Sequence, residues 1–560
     1  MAHVFRYIGK FRKSTMYINK VVDILRAAIL FCLLTIVPTT AAAQFAPVVR
    51  GGCTPHLTDG DSNADGSRRQ APLRLASINT NWDSTRVYRQ AVILISFSDQ
   101  DFKEANPQAF YDSLFNAPGF NKRKGPGCVA DYFRQQSGGL FNLEFDVYGP
   151  VRVSSKAQPY SKPTENTRNY GSSVLREATL KVIDSLKVDF SQYVWRDSRK
   201  VNQVIYVYAG LCGNQASEKS YGHIWPNTSS FASISTSGVT IANYTCSGEL
   251  WANGSSCGIG TICHEFTHSL GLPDIYPTTS DAGYSMVDEW DLMDGGNFTN
   301  YGWCPPNYTA MEKLLLGWLT PEELTEPTTV KGMKTVDEGG PVYRIKHSDS
   351  EWLLLENRQQ SGWDKGLPGK GLVIYHVYYD KAVWSGNSVN NNKNKRRFEL
   401  MSADNMDYDA WMDYVSSWAK PQQYAHSDHM NSYLLSSSAY PWVTDSTAVN
   451  NELTAQSVPA TVMNYPNLDG ETILDKPVTD IVQNADGTIS FRFMGGADPD
   501  IKGDVNSDGY VDVADVATII SFMAETIETI TLEKADVNGD GSVDVADIST
   551  ILTLMAGIIE

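Results

Sequence analysis

Apolar and polar positions change period repeatedly between residues 86 and 328. "AVILISF" (91–97) and "VIYVYAG" (204–210) are short runs of β-branched and aromatic residues, the pattern of strands buried in a sheet. "SSVLREATLKVIDSL" (172–186) instead spaces its apolar residues as an amphipathic helix does. Strands alternating with helices predict an α/β (α+β) domain over 86–328. Beyond about 330 the segments shorten and become mostly strand-like, as in "VYRIKH", "EWLLLENR", "GLVIYHVYYD" and "TISFRFMGG", with Gly, Pro and Asn clusters between them. A separate β-rich, sandwich-like domain is expected over 329–496. The remaining 497–560 carries two short apolar helical runs, "VATIISFMAE" and "ISTILTLMAG", each following an acidic loop.

Composition narrows the partners. The chain has 560 residues and a formal net charge of -18, which argues against nucleic acid and anionic membrane surfaces. Arg6, Lys10, Arg12, Lys13, Lys20 and Arg26 precede an eleven-residue apolar run, Ala27 to Val37, and then Pro38 and Ala41-Ala42-Ala43. This reads as a cleaved export signal over 1–43, because a bilayer span needs about 20 apolar residues. No later segment could span a membrane. Residues 44–85 lack apolar periodicity and read as a leader or propeptide, with Arg68-Arg69 as a candidate processing site. The run from Asp61 to Gly66 imitates a calcium loop, but Arg69 and Pro72 stand where ligands are needed, so no metal is assigned there. The expected location is therefore secreted, extracellular or held at the cell surface. In that oxidising setting Cys128, Cys212, Cys246, Cys257, Cys263 and Cys304 allow up to three disulfides, with Cys53 left over.

One stretch carries candidate chemistry. "TICHEFTHSLGLPDIY" (261–276) sets His264 and His268 four residues apart, so on a helix both present a ring nitrogen to the same ion. Glu265 is turned by about 100°, close enough to act on a water without being a ligand. Gly271 suits a left-handed turn ending the helix, after which Asp274 can return as a third ligand. Zinc held by three protein ligands keeps a fourth place for water and lowers its pKa to about 7, while the glutamate takes its proton and passes it to a leaving amine. That is peptide-bond hydrolysis. H-E-x-x-H also recurs by accident on solvated helices, but the glycine and aspartate at these offsets favour the metal reading. Glu289 offers a competing third ligand of the thermolysin type, yet "DAGYSMVDEWDLMDGG" holds too many turn residues for the second helix this would need. Met293 is placed for the methionine turn of metzincins. Gly295 stands where some of them carry a tyrosine, so no tyrosine receives a catalytic part. "GLPGKG" (366–371) lacks the spacing and the final Ser or Thr of a phosphate loop, and no serine-hydrolase elbow is assigned. Cys53 is a candidate thiolate for the open zinc position in an unprocessed chain, against the blander reading of a disulfide partner.

"GCVADYFRQQSGGLFNLEFDVYGPV" (127–151), "HIWPN" (223–227), "HEFTHSLGLPDIY" (264–276), "DLMDGGNF" (291–298) and "EKLLLGWLTP" (312–321) together resemble the immune inhibitor A family of secreted zinc metallopeptidases. "LLLENRQQSGWDKGLPGKGLVIYHVYYD" (353–380) looks like that family's β-rich domain, so the likeness covers roughly 86–495. It implies a metzincin-like zinc peptidase with ligands His264, His268 and Asp274, catalytic base Glu265 and a protein or peptide substrate. The leader does not resemble a propeptide of the family.

The tail repeats itself. "DVNSDGYVDVAD" (504–515) returns after 32 residues as "DVNGDGSVDVAD" (536–547). Oxygen-bearing residues fall at calcium-loop offsets: Asp504, Asn506, Asp508, Asp512 and Asp515, then Asp536, Asn538, Asp540, Asp544 and Asp547. Tyr510 and Ser542 would add backbone carbonyls, and Gly509 and Gly541 take the sharp turn. The last ligand is Asp rather than Glu, and a helix follows each loop without a comparable helix before it. This arrangement resembles the type I dockerin, which implies two calcium ions and a cohesin-bearing partner, against a purely structural calcium-stabilised cap. The leading reading is a zinc endopeptidase tethered through its dockerin, and the competing one is a catalytically inert, scaffold-associated binding protein.

Overall fold

The structure is a computed structural model and describes residues 78, 80–158, 170–196, 198–215, 223–278, 287–392, 394–405, 436–444, 448–496, 502–506, 511–527 and 529–556. The expected export signal, the leader up to residue 77 with Arg68-Arg69 and Cys53, and Asp508, Gly509 and Tyr510 lie outside the described residues. The architecture is multidomain, with mixed helix and sheet content.

The first sheet contains β1 (Val87–Ser96), β2 (Asn142–Arg152), β3 (Val204–Leu211), β4 (Asn227–Thr236) and β5 (Val239–Leu250) in the order β2-β1-β3-β5-β4. The first four in that order run parallel, and β4 closes the edge antiparallel to β5. Parallel neighbours need crossovers. Helices α1 (Pro107–Asn116) and α2 (Val129–Gln136) join β1 to β2, and α3 (Tyr170–Leu186) joins β2 to β3. The two-residue period of a strand divides the inner strands between two cores. Val92, Leu94, Ile205 and Val207 face α2 and the buried helix α4 (Gly260–Leu270). Ala91, Ile93, Ile95, Val204, Tyr206 and Tyr208 pack with Val174, Ala178 and Val182 of α3. Burial on both faces is why these strands read as unbroken apolar runs.

After the short helix α5 (Ala310–Leu315) come β6 (Glu322–Glu323), β7 (Thr328–Met333), β8 (Tyr343–Lys346), β9 (Glu351–Arg358) and β10 (Gly371–Tyr378). Helix α6 (Lys381–Ser385) and strands β11 (Phe398–Leu400), β12 (Trp442–Thr444), β13 (Ala448–Asn450), β14 (Val478–Gln483) and β15 (Ile489–Phe493) follow. They form a sheet of order β11-β10-β9-β8-β6, a three-stranded sheet β14-β15-β7 and the pair β12-β13. Leu353, Leu355, Leu372 and Ile374 pack against Val330, Val478, Ile489, Phe491 and Phe493 of the three-stranded sheet. Their neighbours Trp352, Leu354, Val373, Tyr375 and Val377 turn the other way and join the core of α2 and α4. One apolar core thus runs across residue 328, and each large side chain in it contributes about 1.5–3 kcal/mol.

A buried polar seam lies beside this core. Arg358 on β9 grips Asp364 with two hydrogen bonds, Nε to Oδ2 at 2.7 Å and Nη2 to Oδ1 at 2.6 Å. The same guanidinium donates to the carbonyls of Trp290 and Asn307, while Asp364 accepts the Asn307 N–H and Glu356 that of Ala310. The second sheet therefore holds the chain on both sides of residues 291–306.

The tail contains α7 (Val513–Met523), α8 (Leu532–Ala535) and α9 (Val545–Met555) around a small core of Val505, Ile519, Ala535, Val537 and Ile551.

Removing one member of a buried, hydrogen-bonded ion pair leaves the other charge stranded. Asp364→Ala is expected to cost about 3–5 kcal/mol in denaturant unfolding, whereas the combined change Arg358→Met, Asp364→Leu, Glu356→Gln costs less, because neither Arg358 nor Glu356, 3.7 Å from it, is left as an unpaired buried charge. Equal losses in the two proteins would contradict this account of the seam.

Candidate metal centre

Ten of the eleven residues of α4 are buried. A helix enclosed all round must satisfy its polar groups internally. The Thr267 hydroxyl donates to the Cys263 carbonyl at 2.6 Å and meets the Tyr308 hydroxyl. The Glu265 carbonyl accepts the hydroxyls of Thr228 on β4 and Thr245 on β5, tying the helix to the sheet edge. Gly260 begins the helix where a Cβ would lie 2.0 Å from the Asn297 carbonyl oxygen, so no side chain fits. Gly271 ends it with φ 104°, in the left-handed region that favours glycine.

The chain then doubles back and brings Asp274 against the two histidines. Asp274 Oδ1 lies 3.2 Å from His264 Nε2 and 3.2 Å from His268 Nε2. Each ring is aimed from behind, His264 Nδ1 bonding the Leu292 carbonyl at 2.8 Å and His268 Nδ1 the Leu272 carbonyl at 2.8 Å. A carbonyl only accepts, so Nδ1 carries the hydrogen and Nε2 of the neutral ring turns its lone pair inward. His264 Nε2 and Asp274 Oδ1 are buried with no hydrogen-bond partner. Two such nitrogens and a carboxylate oxygen converging in a dry interior form a donor set for a cation, and zinc accepts this combination. It is the one grouping of this kind found among the described residues, and Glu289 is not part of it. The other oxygen of Asp274, Oδ2, accepts the side-chain N–H of Asn387 at 2.8 Å, and the Asp274 N–H donates to Asn387 Oδ1 at 2.6 Å.

The electrostatics follow the geometry. Burial opposes ionisation of Asp274, but the two histidines outweigh it and hold its carboxyl far below the usual carboxylate range. Burial also pulls His268 down, and Asp274 more than offsets this and raises it. Glu265, next to His264 and enclosed, is pushed up by burial to about 7. Met293 is fully buried in the core beside α4, and its carbonyl receives the Ile275 N–H at 2.9 Å, fastening the segment just after Asp274.

Other expectations are modified. All six described cysteines are free and buried thiols rather than disulfide-bonded. They pack in separate places, Cys128 and Cys263 in the core of α4, Cys246 in that of α3, and Cys212 and Cys257 beside Trp251 and Phe298, where their Sγ atoms are 3.5 Å apart. The spacing G-x-S-x-G does occur, at "GSSCG" (254–258), but Ser256 bridges to Leu250 and its carbonyl receives the Trp303 indole N–H, a packing role in the turn leading to α4. Sequence reasoning missed the Leu272 and Leu292 carbonyls, which backbone chemistry cannot advertise. It also missed Asn387, whose "GNSVNNN" run carries only a turn signal.

In the tail, Asp512 and Asp544 cap α7 and α9, and Asp515 and Asp547 reach back to the N–H groups of Asp512 and Asp544 at 2.7 and 2.9 Å. Asp515 also accepts the Val505 and Asn506 N–H groups, and Asp547 that of Asn538. Asp536 gathers the N–H groups of Gly539, Asp540 and Gly541, Asn538 and Asp540 bond each other, and Ser542 donates its N–H to Asp540. Asp504, Asp515 and Asp547 are buried, and Asp504 lies 3.9 Å from Lys534.

Comparison with known proteins finds a family match over each of these two regions. Residues 217–313 match the family described as "Immune inhibitor A peptidase M6, catalytic domain", a span that holds α4, Asp274 and Met293. Residues 502–553 match "Dockerin type I domain". The chain is similar to pre-pro-metalloprotease PrtV of Vibrio cholerae serotype O1, at 20% identity over 327 residues, 50% of this chain and 35% of that protein. It is also similar to immune inhibitor A of Bacillus thuringiensis, at 23% identity over 276 residues, 40% of this chain and 39% of that protein. The chain thus spans little more than a third of the length of these curated relatives. Both resemblances read from the sequence are shown by these matches.

Asp274→Ala is expected to weaken zinc affinity by more than the roughly 10–100-fold that loss of a supporting hydrogen bond costs, while Glu289→Ala leaves it unchanged. Competition against a chromophoric chelator measures both, and the opposite ranking would hand the third position to Glu289.

Proposed function

We propose that the chain is a secreted zinc-dependent endopeptidase carried to a cohesin-bearing partner by a calcium-dependent dockerin. The observation that carries this reading is the convergence of His264 Nε2 and His268 Nε2, each 3.2 Å from Asp274 Oδ1 and buried, beside an enclosed glutamate. Zinc, when bound there, supplies Lewis-acid polarisation of a peptide carbonyl and of water. His264, His268 and Asp274 hold it, each oriented by a hydrogen bond from behind. Glu265 is the proton carrier: its carboxylate takes a proton from the attacking water and returns it to the nitrogen of the leaving amine. Burial raises the proton affinity of this carboxylate, which suits it to accept a proton and pass it on. The parallel strands with one antiparallel edge, the helix behind that edge and the buried turn at Met293 support the metzincin-like reading.

In the tail, Asp504, Asn506, Asp508, Tyr510, Asp512 and Asp515 would form one calcium site, and Asp536, Asn538, Asp540, Ser542, Asp544 and Asp547 the other. The matching hydrogen bonds of Asp515 and Asp547 in the two loops support their equivalence. Calcium would neutralise carboxylates that the small core forces together, so folding and cohesin capture are coupled to it.

Glu265→Gln is expected to retain zinc and to lose hydrolysis of a generic protein substrate by at least about a hundredfold, the lower end for general-base loss. Wild-type activity should vanish with a chelator and return with zinc. Wild-type activity that survives chelation, or a Glu265→Gln protein as active as wild type, would remove the zinc-dependent mechanism, and zinc binding without any hydrolysis would favour the inert binding protein.

Titrating the zinc-loaded full chain with calcium should show two sites, with one lost in Asp515→Ala and one in Asp547→Ala. Capture of a cohesin should require calcium. Calcium binding without capture would reduce the tail to a structural cap.

A further inference from the structure

Asn387 lies 113 residues beyond Asp274, outside the matched peptidase stretch, in the turn after α6. That helix is pinned by Trp384, buried in the core shared with α4. Asn387 has φ 53°, a conformation asparagine tolerates better than other side chains. From this turn its amide closes a two-bonded ring on Asp274: Oδ1 accepts the Asp274 N–H at 2.6 Å, and Nδ2 donates to Asp274 Oδ2 at 2.8 Å. The backbone N–H can only donate, so it fixes which end of the amide faces it and leaves the NH2 group for the carboxylate. Two neighbours extend the grip. Asn390 Nδ2 donates to the Ile275 carbonyl at 2.9 Å, and Asn391 Oδ1 accepts the Thr278 N–H at 2.7 Å.

We infer that Asn387 is a positioning residue for the metal centre, occupying Asp274 Oδ2 so that Asp274 meets the ion through Oδ1 alone. The inference rests on the zinc reading proposed above. The centre is then assembled from two distant segments: the helix and its return supply the ligands, and the asparagine turn between β10 and β11 of the second sheet sets how the third one points. With Oδ2 engaged, the carboxylate cannot rotate to offer both oxygens, and a coordination place stays free for water. Without the amide, Asp274 loses its rotational restraint, and the carboxylate is free to turn away or to offer both oxygens.

The test uses the full chain with Asn387→Asp, which keeps size and backbone preference but sets a carboxylate against Asp274 Oδ2. Asn387→Gly, which tolerates the positive φ and removes the side chain, guards against misfolding of the first variant. Zinc affinity is measured by chelator competition, and the visible absorption of the cobalt-substituted protein reports coordination number. Both variants should bind zinc about 10–100-fold more weakly, and Asn387→Gly should show the weaker cobalt bands of a higher-coordinate ion. Wild-type zinc affinity and cobalt spectrum in a folded variant would overturn the inference. Asp274→Ala in parallel separates the two readings: if it also leaves zinc affinity unchanged, the metal reading itself fails, and if it alone weakens binding, only the role of Asn387 fails.

Discussion

Two imidazole nitrogens, each held 3.2 Å from one carboxylate oxygen in the buried interior, form the constraint on which the rest of the structure depends. Left to themselves, polar groups at this depth would turn to find partners or would take up protons. Here they are prevented from turning. The Leu272 and Leu292 carbonyls hold the rings from behind, and Asn387 holds the carboxylate. Each of these supports is itself fixed. Gly271 turns the chain so that Leu272 meets His268, and the buried turn through Met293 presents the Leu292 carbonyl to His264.

The second sheet takes part in this arrangement through a shared core. Because strand side chains alternate, β9 and β10 can pack on the three-stranded sheet with one set of residues and on the core of α4 with the other. The Arg358–Asp364 pair beside that core grips the chain at Trp290 and Asn307, on either side of the turn that carries Leu292 and Met293. Apolar burial supplies most of the attachment, and the polar seam sets its register. The grouping of His264, His268 and Asp274, drawn from one short stretch, thus leans on residues more than a hundred positions away.

The tail solves a different problem with a smaller core. Five buried apolar residues are few for an independent unit, and its acidic loops bring carboxylates together at both helix starts. Small units of this kind commonly gain what their cores lack from bound metal. The loop hydrogen bonds follow the sequence repeat, with Asp515 and Asp547 each closing its own loop onto the helix that follows.

The sequence by itself determined whatever depends on short-range geometry. The spacing of His264 and His268 follows from helix pitch, the left-handed turn at Gly271 from the absence of a side chain, and the paired loops from a repeat of 32 residues. It also marked the strands buried in the sheet, since their apolar runs are continuous. Turn residues around Glu289 already favoured Asp274 in the sequence, and the fold brings Asp274 Oδ1 within 3.2 Å of both imidazoles with Glu289 outside the grouping. Tertiary structure alone decided that the six described cysteines are buried thiols, and that a run of asparagines bonds Asp274, Ile275 and Thr278 rather than forming an idle turn. These are contacts between segments distant in sequence, and the side chains that make them look, taken locally, like those of any loop.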